Sequence, residues 1–350
     1  MKQWLETRQV AAALGALARE GRRAALATVV RVQGSAYRHE GAKLVVSDDD
    51  RIVGNVSGGC LEEDVREVAR RVLATGRAER RTYCGGADEI AAWDLGVGCE
   101  GAVEVLIEEA GPWHATLDAA LRADARVVCV TDLAAVAAAG TTAERDAAHR
   151  VLTGADADAW FGTGASRLEV RDGREWFVEV LTPPPRLLVV SAGDDARELA
   201  RLADGVGFRV LVADRRPGLL DATRFPATVQ RVETDADRLG ERVVLDADAF
   251  AVVMTHHFQD DVDYLRALLR SPVRYLGVLG PRARTERILA RLRLEGPVDE
   301  RRIYGPVGLD IGTDGAEQVA LAVVAELLAV RSGRRPRSLR DRVEPIHADA

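Results

Sequence analysis

The sequence lacks any long apolar run. No stretch of about 18 consecutive apolar residues occurs in the chain, and a transmembrane helix requires a span of that length. The N-terminal stretch, MKQWLETRQVAAALGALARE, mixes charged and apolar side chains at helical spacing. A secretory signal has a continuous apolar centre before its cleavage site, which this stretch does not have. We therefore expect a cytoplasmic protein with no membrane segment.

Cysteine is scarce and charge is balanced. Cys60, Cys84, Cys99 and Cys129 are widely separated and form no CxxC pair, so reduced thiols in a cytoplasm are the expectation. The chain carries 48 basic and 55 acidic residues, for a net charge of -7. Because it also has no basic stripe interleaved with aromatics, nucleic acid is not expected as a partner.

Aromatic residues are few, at 5%, whereas 47% of the 350 residues are hydrophobic, which suits two ordinary cores. Apolar residues at helical spacing predict helices over residues 7–20 and 61–73. Apolar runs rich in β-branched residues predict strands at 25–32, 41–47, 51–56, 102–109 and 126–132. Residues 111–125 and 133–175 show no clear period and are left unassigned. The pattern predicts an N-terminal α/β domain over residues 1–180.

A proline run, TPPPR at 182–186, favours a stiff extended connector. Beyond it the pattern changes to strand, helix and strand, in RLLVVSAG, DDARELARLADGVG and FRVLVAD, and the theme repeats further on. These strands are continuous apolar runs, as in a parallel sheet covered on both faces. We predict an α/β fold of two domains, the second a Rossmann-like parallel-sheet domain over 183–331, followed by a polar tail at 332–350.

The first turn of this second domain resembles a dinucleotide-binding loop in which only the middle glycine of the motif is present. Where GxGxxG would stand, the chain has Ser191-Ala192-Gly193-Asp194-Asp195-Ala196, and two carboxylates there would repel a pyrophosphate. Asp214 ends the next strand at the position of a ribose ligand, and Arg215 and Arg216 are placed to meet a 2'-phosphate. Two interpretations stay open: an NAD(P)-binding oxidoreductase, or a Rossmann scaffold that does not bind NAD(P) tightly.

The stretch NVSGGCLEEDV at 55–65 places Cys60 after a glycine turn and before a helix. Backbone amides of Ser57, Gly58 and Gly59 could face an anion, and the helix dipole would lower the thiol pKa. The acidic first turn of the helix opposes this effect. On local chemistry alone, a small buried turn residue and a functional thiol both fit.

Several other residues are candidates with an ordinary structural alternative. Gly34 and Ser35 begin a glycine-bounded loop that contains Arg38 and Lys43, whose cations either bind phosphate or are solvated. Residues that follow predicted parallel strands face the ligand crevice of such folds, and here they are His256, Gly280 and Arg282. The histidine also fits a capping role. Cys84 and Cys129 are interpreted as structural, and the pairs Glu62-Glu63 and Glu108-Glu109 as solvated faces.

Seven motifs in order resemble the XdhC/CoxI family of accessory factors for molybdenum-containing xanthine dehydrogenases and related hydroxylases. They are GSAYRHEGAKLVV, GNVSGGCLEEDV, VGCEGAVEVLIE, PPPRLLVVSAGDDARELARLA with FRVLVADRR, VVMTHHFQDDVDYLRALL, YLGVLGPRARTERIL and GPVGLDIGTDGAEQVALAVVAEL. The resemblance covers about residues 10–331. It implies a maturation chaperone that binds the molybdenum cofactor, as molybdopterin or its nucleotide form, while a cysteine desulfurase supplies sulfur. It also implies delivery to an apo molybdenum hydroxylase, and we expect a homodimer.

Under this resemblance Cys60 is the catalytic thiol and the metal ligand nearest molybdenum. The anion-binding set comprises Gly34, Ser35, Arg38, Lys43, Ser57, Gly58 and Gly59, and the secondary nucleotide cleft comprises Gly193, Asp194, Asp214, Arg215, His256, Gly280 and Arg282. Two motifs depart from the family pattern. Ser191-Ala192-Gly193 stands where members usually carry GAG, and Cys99-Glu100-Gly101 stands where they usually carry Cys-Gly-Gly, which weakens the nucleotide claim and the claim on Cys99.

Overall fold

A computed structural model describes residues 2–34, 38–59, 61–84 and 102–343. The chain divides into two compact units, of which one comprises Lys2–Pro183 and the other begins at Pro184. No helix in the described ranges has the length and apolar character needed to cross a membrane.

The N-terminal unit contains two antiparallel sheets. The five-stranded sheet has the order β3-β2-β1-β5-β4, and its strands are β1 Ala24–Gln33, β2 Lys43–Ser47, β3 Ile52–Gly54, β4 Glu79–Cys84 and β5 Ala102–Glu109. The four-stranded sheet has the order β7-β6-β9-β8, from β6 Val127–Asp132, β7 His149–Thr153, β8 Arg167–Arg171 and β9 Arg174–Leu181.

Helices cover these sheets. They are α1 Lys2–Arg19, α2 Glu62–Thr75, α3 Trp113–Arg122, α4 Leu133–Ala138, α5 Thr142–Ala147 and α6 Gly154–Phe161. The buried residues of α2 pack on one face of the five-stranded sheet, and α1 and α3 share a core with its other face and with β6 and β9. Helix α2 ends at Gly76, which adopts φ 69° and donates its N–H to Val72 O, as a left-handed C-cap does.

Parts of this unit differ from the sequence prediction. The unassigned ranges 111–125 and 133–175 contain helices α3 to α6 and strands β7 and β8. These helices have 6 to 10 residues, too few turns for a clear apolar period. Strand β4, ERRTYC, was missed because its side chains are exposed or half-buried and therefore show no alternation.

The C-terminal unit is a six-stranded sheet in which each strand is parallel to its neighbours, in the order β12-β11-β10-β13-β14-β15. The strands are β10 Arg186–Val190, β11 Arg209–Asp214, β12 Gln230–Glu233, β13 Phe250–Val253, β14 Tyr275–Val278 and β15 Ile303–Tyr304. The helices are α7 Asp194–Gly205, α8 Leu239–Arg242, α9 Phe258–Leu269, α10 Arg282–Arg293 and α11 Ala316–Ser332.

Both faces of this sheet are covered, α7 and α11 packing on one and α8, α9 and α10 on the other. The predicted α/β fold with a Rossmann-like parallel sheet is confirmed. The order of the strands reverses between β10 and β13. In such folds the crevice at the carboxyl ends of these two strands is where ligands bind.

Candidate functional site

The glycine turn before α2 is held by a serine and a carboxylate. Ser57 is buried, and its Oγ accepts hydrogen bonds from the amides of Gly59 and Leu61, both at 3.1 Å. Glu62 in turn accepts the Ser57 amide at 3.0 Å and the Ser57 hydroxyl. The prediction that Glu62 belongs to a solvated face was therefore wrong, because its half-buried carboxylate accepts hydrogen bonds from the turn.

The two glycines of this turn remain open. Both are exposed, and Gly59 has φ +117°, with no atom other than its own and those of its chain neighbours within 4 Å of the place where a Cβ would stand. No acceptor for the Gly58 amide is found in the described part of the chain. This amide and the open surface of Gly59 are what the turn can offer to a ligand. Cys60 and Ser35 lie outside the described residues, as does Cys99.

Lys43 is not available to a phosphate, which corrects the sequence prediction. Its side chain is 3% exposed and pairs with the equally buried Glu179, and its Nζ also donates to Gly41 O at 3.1 Å. Gly41 has φ +88°, and a Cβ there would meet Gln3 Nε2 at 2.0 Å. Since β2 and β9 lie in different sheets, the ion pair fastens the first sheet to the second.

Arg38 is also occupied. Its guanidinium makes two hydrogen bonds to the carboxylate of Glu6 in α1, one of them at 3.2 Å, and its side chain is only 10% exposed. Gly34, at φ 74°, begins the loop. The glycine-bounded loop is thus held by carboxylates, because Arg38 pairs with Glu6 and Lys43 pairs with Glu179.

A second buried polar group involves a carboxylate that the sequence pattern placed in solvent. Glu108 is 2% exposed, and its Oε2 lies 2.9 Å from His149 Nε2, while His149 Nδ1 lies 3.0 Å from the Thr131 hydroxyl. The Trp113 ring stacks on His149 at 4.4 Å. The prediction of a solvated face was wrong for Glu108, because its side chain is buried, whereas the next residue, Glu109, is half-buried. Nearby Cys129 is buried, and burial raises the pKa of its thiol.

His114, beside this group, should make the N-terminal unit sensitive to acid. Burial lowers the pKa of His114 from an ordinary 6.5 to about 3. The folded unit therefore keeps His114 neutral, whereas the unfolded chain takes up a proton below pH 6.5. Stability is fully present above that pH and is lost as pH falls toward 3, by about 1.4 kcal/mol per pH unit.

We expect His114→Asn to remove this slope, because the amide does not titrate. The measurement is the unfolding free energy in urea at several pH values between 4 and 6. Equal slopes for the parent and the variant would contradict the assignment, whatever the variant does to stability at neutral pH.

In the C-terminal unit, the carboxyl ends of the central strands carry two strained residues. Ser191 follows β10 with φ 133°, and His256 follows β13 with φ 61°. Non-glycine residues adopt positive φ rarely, and they concentrate at functional sites. His256 is exposed, and its Nε2 lies 3.1 Å from Asp195 at the start of α7, while His257 caps α9 by accepting the Asp260 amide. The capping alternative therefore applies to His257.

Asp214 is fully engaged within the protein. One oxygen accepts the Ala192 amide at 2.7 Å and Arg216 Nη2 at 2.8 Å, and the other accepts the amide and Nε of Arg216, both at 2.9 Å. A carboxylate has about four acceptor positions. Since all are used, Asp214 has none left for ribose hydroxyls, which conflicts with the role predicted for it. Burial works against ionisation, but these hydrogen bonds outweigh it and lower the pKa of Asp214.

A cavity of about 170 Å³ opens beside Asp214 at these strand ends; its lining includes Ser191, Asp214, Arg215, Thr255, His257, Asp260 and Tyr264. Arg215 pairs with Asp260 at 3.0 Å. Asp194 is exposed and pairs with Arg224 and Arg197. Gly193 is the N-cap of α7 without a side-chain cap.

A larger cavity, of about 470 Å³, lies between α8 and the end of α9, away from the strand ends and from every predicted site residue.

One predicted cation at this edge has no ion-pair partner among the residues that the structure describes. Arg282 is exposed at the first position of α10, after Gly280 at φ +122°. In the described ranges it has no carboxylate partner, whereas Arg284, two residues on, is bound to the buried Asp261 at 2.6 Å. No group of three or more potential metal-ligating side chains comes together within those same ranges. Arg282 is therefore the predicted anion contact that this edge leaves available.

The parallel sheet, its strand order and the crevice at β10 and β13 define the Rossmann class of domains. Residues 187–327 match the family model described as the XdhC Rossmann domain, and residues 17–84 match that of the XdhC and CoxI family. The chain is 31% identical over 338 residues to a probable xanthine dehydrogenase subunit of Bacillus subtilis (strain 168), across 91% of this chain and 96% of that one. It belongs to the XdhC and CoxI family, as the sequence motifs predict.

Two further relatives resemble the chain over most of its length. The molybdenum cofactor insertion chaperone PaoD of Escherichia coli (strain K12) is 24% identical over 314 residues, covering 89% of this chain and 84% of that one. A crystal structure of a xanthine dehydrogenase from Bacillus halodurans is 28% identical, with a TM-score of 0.75 and coverage of 94% and 97%. The likeness therefore extends through both units.

Proposed function

We propose that this protein is a maturation factor that holds the molybdenum cofactor and delivers it to an apo-hydroxylase of the xanthine dehydrogenase type. The observation that carries the proposal is family membership across nearly the whole chain, together with similarity to a relative named as a molybdenum cofactor insertion chaperone. The cofactor is cargo in this scheme. The chain acts as a carrier and not as a turnover enzyme.

Fewer residues are available to bind an anionic cargo than the sequence suggests. Gly58 offers an amide, Gly59 offers close backbone approach, and Cys60 follows as a soft thiol ligand for molybdenum. Lys43 and Arg38 are removed from the set, because each is bound to a carboxylate. The donors that remain are few, and this suits a protein that has to release what it holds.

In the C-terminal unit, Gly280 and Arg282 are the groups proposed to meet the phosphate end of the cofactor, because Arg282 has no partner among the described residues. The cavity beside Asp214, whose lining does not include Gly280 or Arg282, has a volume of about 170 Å³, which is smaller than the roughly 300 Å³ that commonly encloses a small molecule. Only one end of the cargo would enter it. The alternative of an NAD(P)-dependent oxidoreductase is less well supported, because Asp214 is saturated by protein donors.

Sulfuration belongs to the same proposal. A partner cysteine desulfurase supplies the sulfur while the chain holds the cofactor, and Cys60 is the thiol placed nearest the metal. Cys84 is exposed and Cys129 is buried. Cys84 can therefore serve as the control for Cys60, because it is an exposed thiol that lies outside the glycine turn.

The test is metal and pterin analysis of the protein purified from a host that makes the molybdenum cofactor. We expect the parent to carry both molybdenum and pterin, and Cys60→Ser to lose most of the molybdenum. Cys84→Ser, which removes an exposed thiol of β4, should load as the parent does. An empty parent would refute the carrier, whereas equal loading of the parent and Cys60→Ser would remove only Cys60 from the mechanism.

A further inference from the structure

The cavity of about 470 Å³ in the C-terminal unit is lined by none of the residues assigned to the cofactor. Its volume falls within the range of roughly 300–1,000 Å³ that is common for small-molecule sites. The floor is apolar, because Leu239, Val243 and Leu268 line it and are buried members of the core beneath α8 and α9. An apolar ligand placed here would therefore rest on side chains that already form the core.

The two walls of this cavity run in the same direction. Residues 236–245 belong to the connection from β12 to β13, and α9 connects β13 to β14. Since the strands of this sheet are parallel, each connection starts at the carboxyl edge and returns to the amino edge. The Tyr264 hydroxyl donates to Thr234 O at 2.7 Å near the carboxyl edge, and the Arg274 amide donates to Ala249 O at 3.1 Å near the amino edge. These bonds keep the walls side by side.

The end of the cavity at the carboxyl edge is acidic. It carries Asp237 and, from α9, Asp263. Asp263 is bound by Arg266, whereas the exposed Asp237 has no hydrogen-bond or ion-pair partner for its side chain among the residues that the structure describes. Asp237 does not cap α8 either, since Asp235 accepts the Arg238 amide there. Asp237 is therefore the carboxylate that this end offers to a ligand.

The end of the cavity at the amino edge carries a cation. Arg270 is exposed, follows the last residue of α9 and makes no ion pair within the described part of the chain. Glu295 lies close enough to be affected by its charge, but both oxygens of Glu295 are hydrogen-bonded by Arg266, at 2.6 and 2.8 Å. A helical rise of about 1.5 Å per residue puts Arg270 about 10 Å from Asp263 along α9. The cavity thus has an apolar floor between charges of opposite sign.

We propose that this cavity binds a short apolar peptide with free ends, about three residues long. Its amino group pairs with Asp237, its carboxylate pairs with Arg270, and its apolar side chains cover the floor. Three extended residues span about 10 Å, which matches the separation of the two charged ends. A single amino acid is too short to reach both charges. Because the cavity shares no residue with the proposed cofactor site, this binding does not depend on the carrier function.

The probe for this site is trileucine. We expect it to bind with a dissociation constant below about 1 mM and to shift the amide resonances of residues 236–245 and 263–271, which form the walls. Acetylation removes its ammonium group and amidation removes its carboxylate, so each should weaken binding about fivefold. Absence of trileucine binding, or equally tight binding of the peptide blocked at both ends, would overturn the proposal.

Each charge pair is tested by combining a variant with a blocked peptide. Asp237→Asn should weaken the binding of trileucine about fivefold and leave the binding of acetyl-trileucine unchanged, because that peptide has no ammonium group to lose. Arg270→Gln should weaken trileucine to a similar extent and leave trileucine amide unchanged. Equal losses for the free and the blocked peptides would contradict these pairings.

Gly240 allows the cavity to be filled without disturbing the fold. It lines the cavity from α8, and apart from its chain neighbours no side chain lies within 4 Å of the place where its Cβ would stand. Gly240→Trp should therefore abolish trileucine binding while the circular dichroism matches the parent.

Gly218→Trp is the matched control, because Gly218 is equally open, is exposed in the same unit and does not line the cavity. We expect this variant to bind trileucine as the parent does. Binding that survives Gly240→Trp, or that is lost equally in Gly218→Trp, would show that the peptide binds elsewhere and would refute the assignment.

Discussion

Replacing Lys43 by methionine is expected to destabilise the N-terminal unit by about 3–5 kcal/mol. The variant leaves the carboxylate of Glu179 buried in the core with no cation, since the side chains of both residues are 3% exposed. A buried, unpaired charge costs far more than the pair contributes, because its hydration is lost without compensation. The double replacement Lys43→Met, Glu179→Leu should recover most of the loss, because it removes both charges together.

The measurement is urea unfolding followed by tryptophan fluorescence. All tryptophans of the chain precede Pro184, at positions 4, 93, 113, 160 and 176, so the signal reports the N-terminal unit. Arg122→Ala is the control, because it breaks the surface pair with Asp118 one helical turn away and should change stability little. If Lys43→Met unfolds as the parent does, the ammonium is free, and the original prediction of a phosphate contact returns.

Asp214→Ala should destabilise the C-terminal unit by about 2–3 kcal/mol, and we expect neither this variant nor the parent to bind a dinucleotide tightly. The reason is that four hydrogen bonds to the buried carboxylate disappear, and the Ala192 amide loses its acceptor. Hydrogen exchange of the β10 and β11 amides measures the stability of this region. Titration calorimetry with NAD and NADP measures binding.

Asp221→Ala provides the comparison, since this exposed aspartate accepts hydrogen bonds from Thr223, within its own turn. We expect its hydrogen exchange to match the parent. Parent protein that binds NAD tightly, with binding lost in Asp214→Ala and stability unchanged, would restore the oxidoreductase interpretation. Binding by neither protein, with faster exchange in Asp214→Ala, is the outcome that the geometry predicts.

The fold could be predicted where apolar residues have a period or a long run. The strands of the parallel sheet are buried at its centre, so β10 and β13 are continuous apolar runs in the sequence. The helices that follow them, α7 and α9, have clear amphipathic spacing. Strand β4 could not be found this way, because an edge strand with exposed arginines has no such signal. Short alanine-rich helices such as α4 likewise show no period.

The residue types at the candidate site could be predicted, but their partners could not. Lys43 is a cation in a glycine-bounded loop, and nothing nearby in sequence indicates Glu179, which is 136 residues away. The same is true of Glu108 and His149, which are separated by 41 residues. Glu62 and Ser57 are only five residues apart, but this spacing does not match the three-residue spacing of a capping box, so this pair was not predicted either. Long-range pairing is a property of the folded chain.

At the glycine turn, the Glu62 carboxylate competes with any other anion for the Ser57 amide. In the proposed carrier, a cargo anion that approaches the Ser57 amide has to displace the Glu62 carboxylate already bound there, and the displaced carboxylate stays beside the turn. The protein therefore carries its own displacing group, tethered at high effective concentration. Under the proposed function, such a tethered competitor would weaken the retention of a cargo at this turn and speed its departure to a better-fitting recipient.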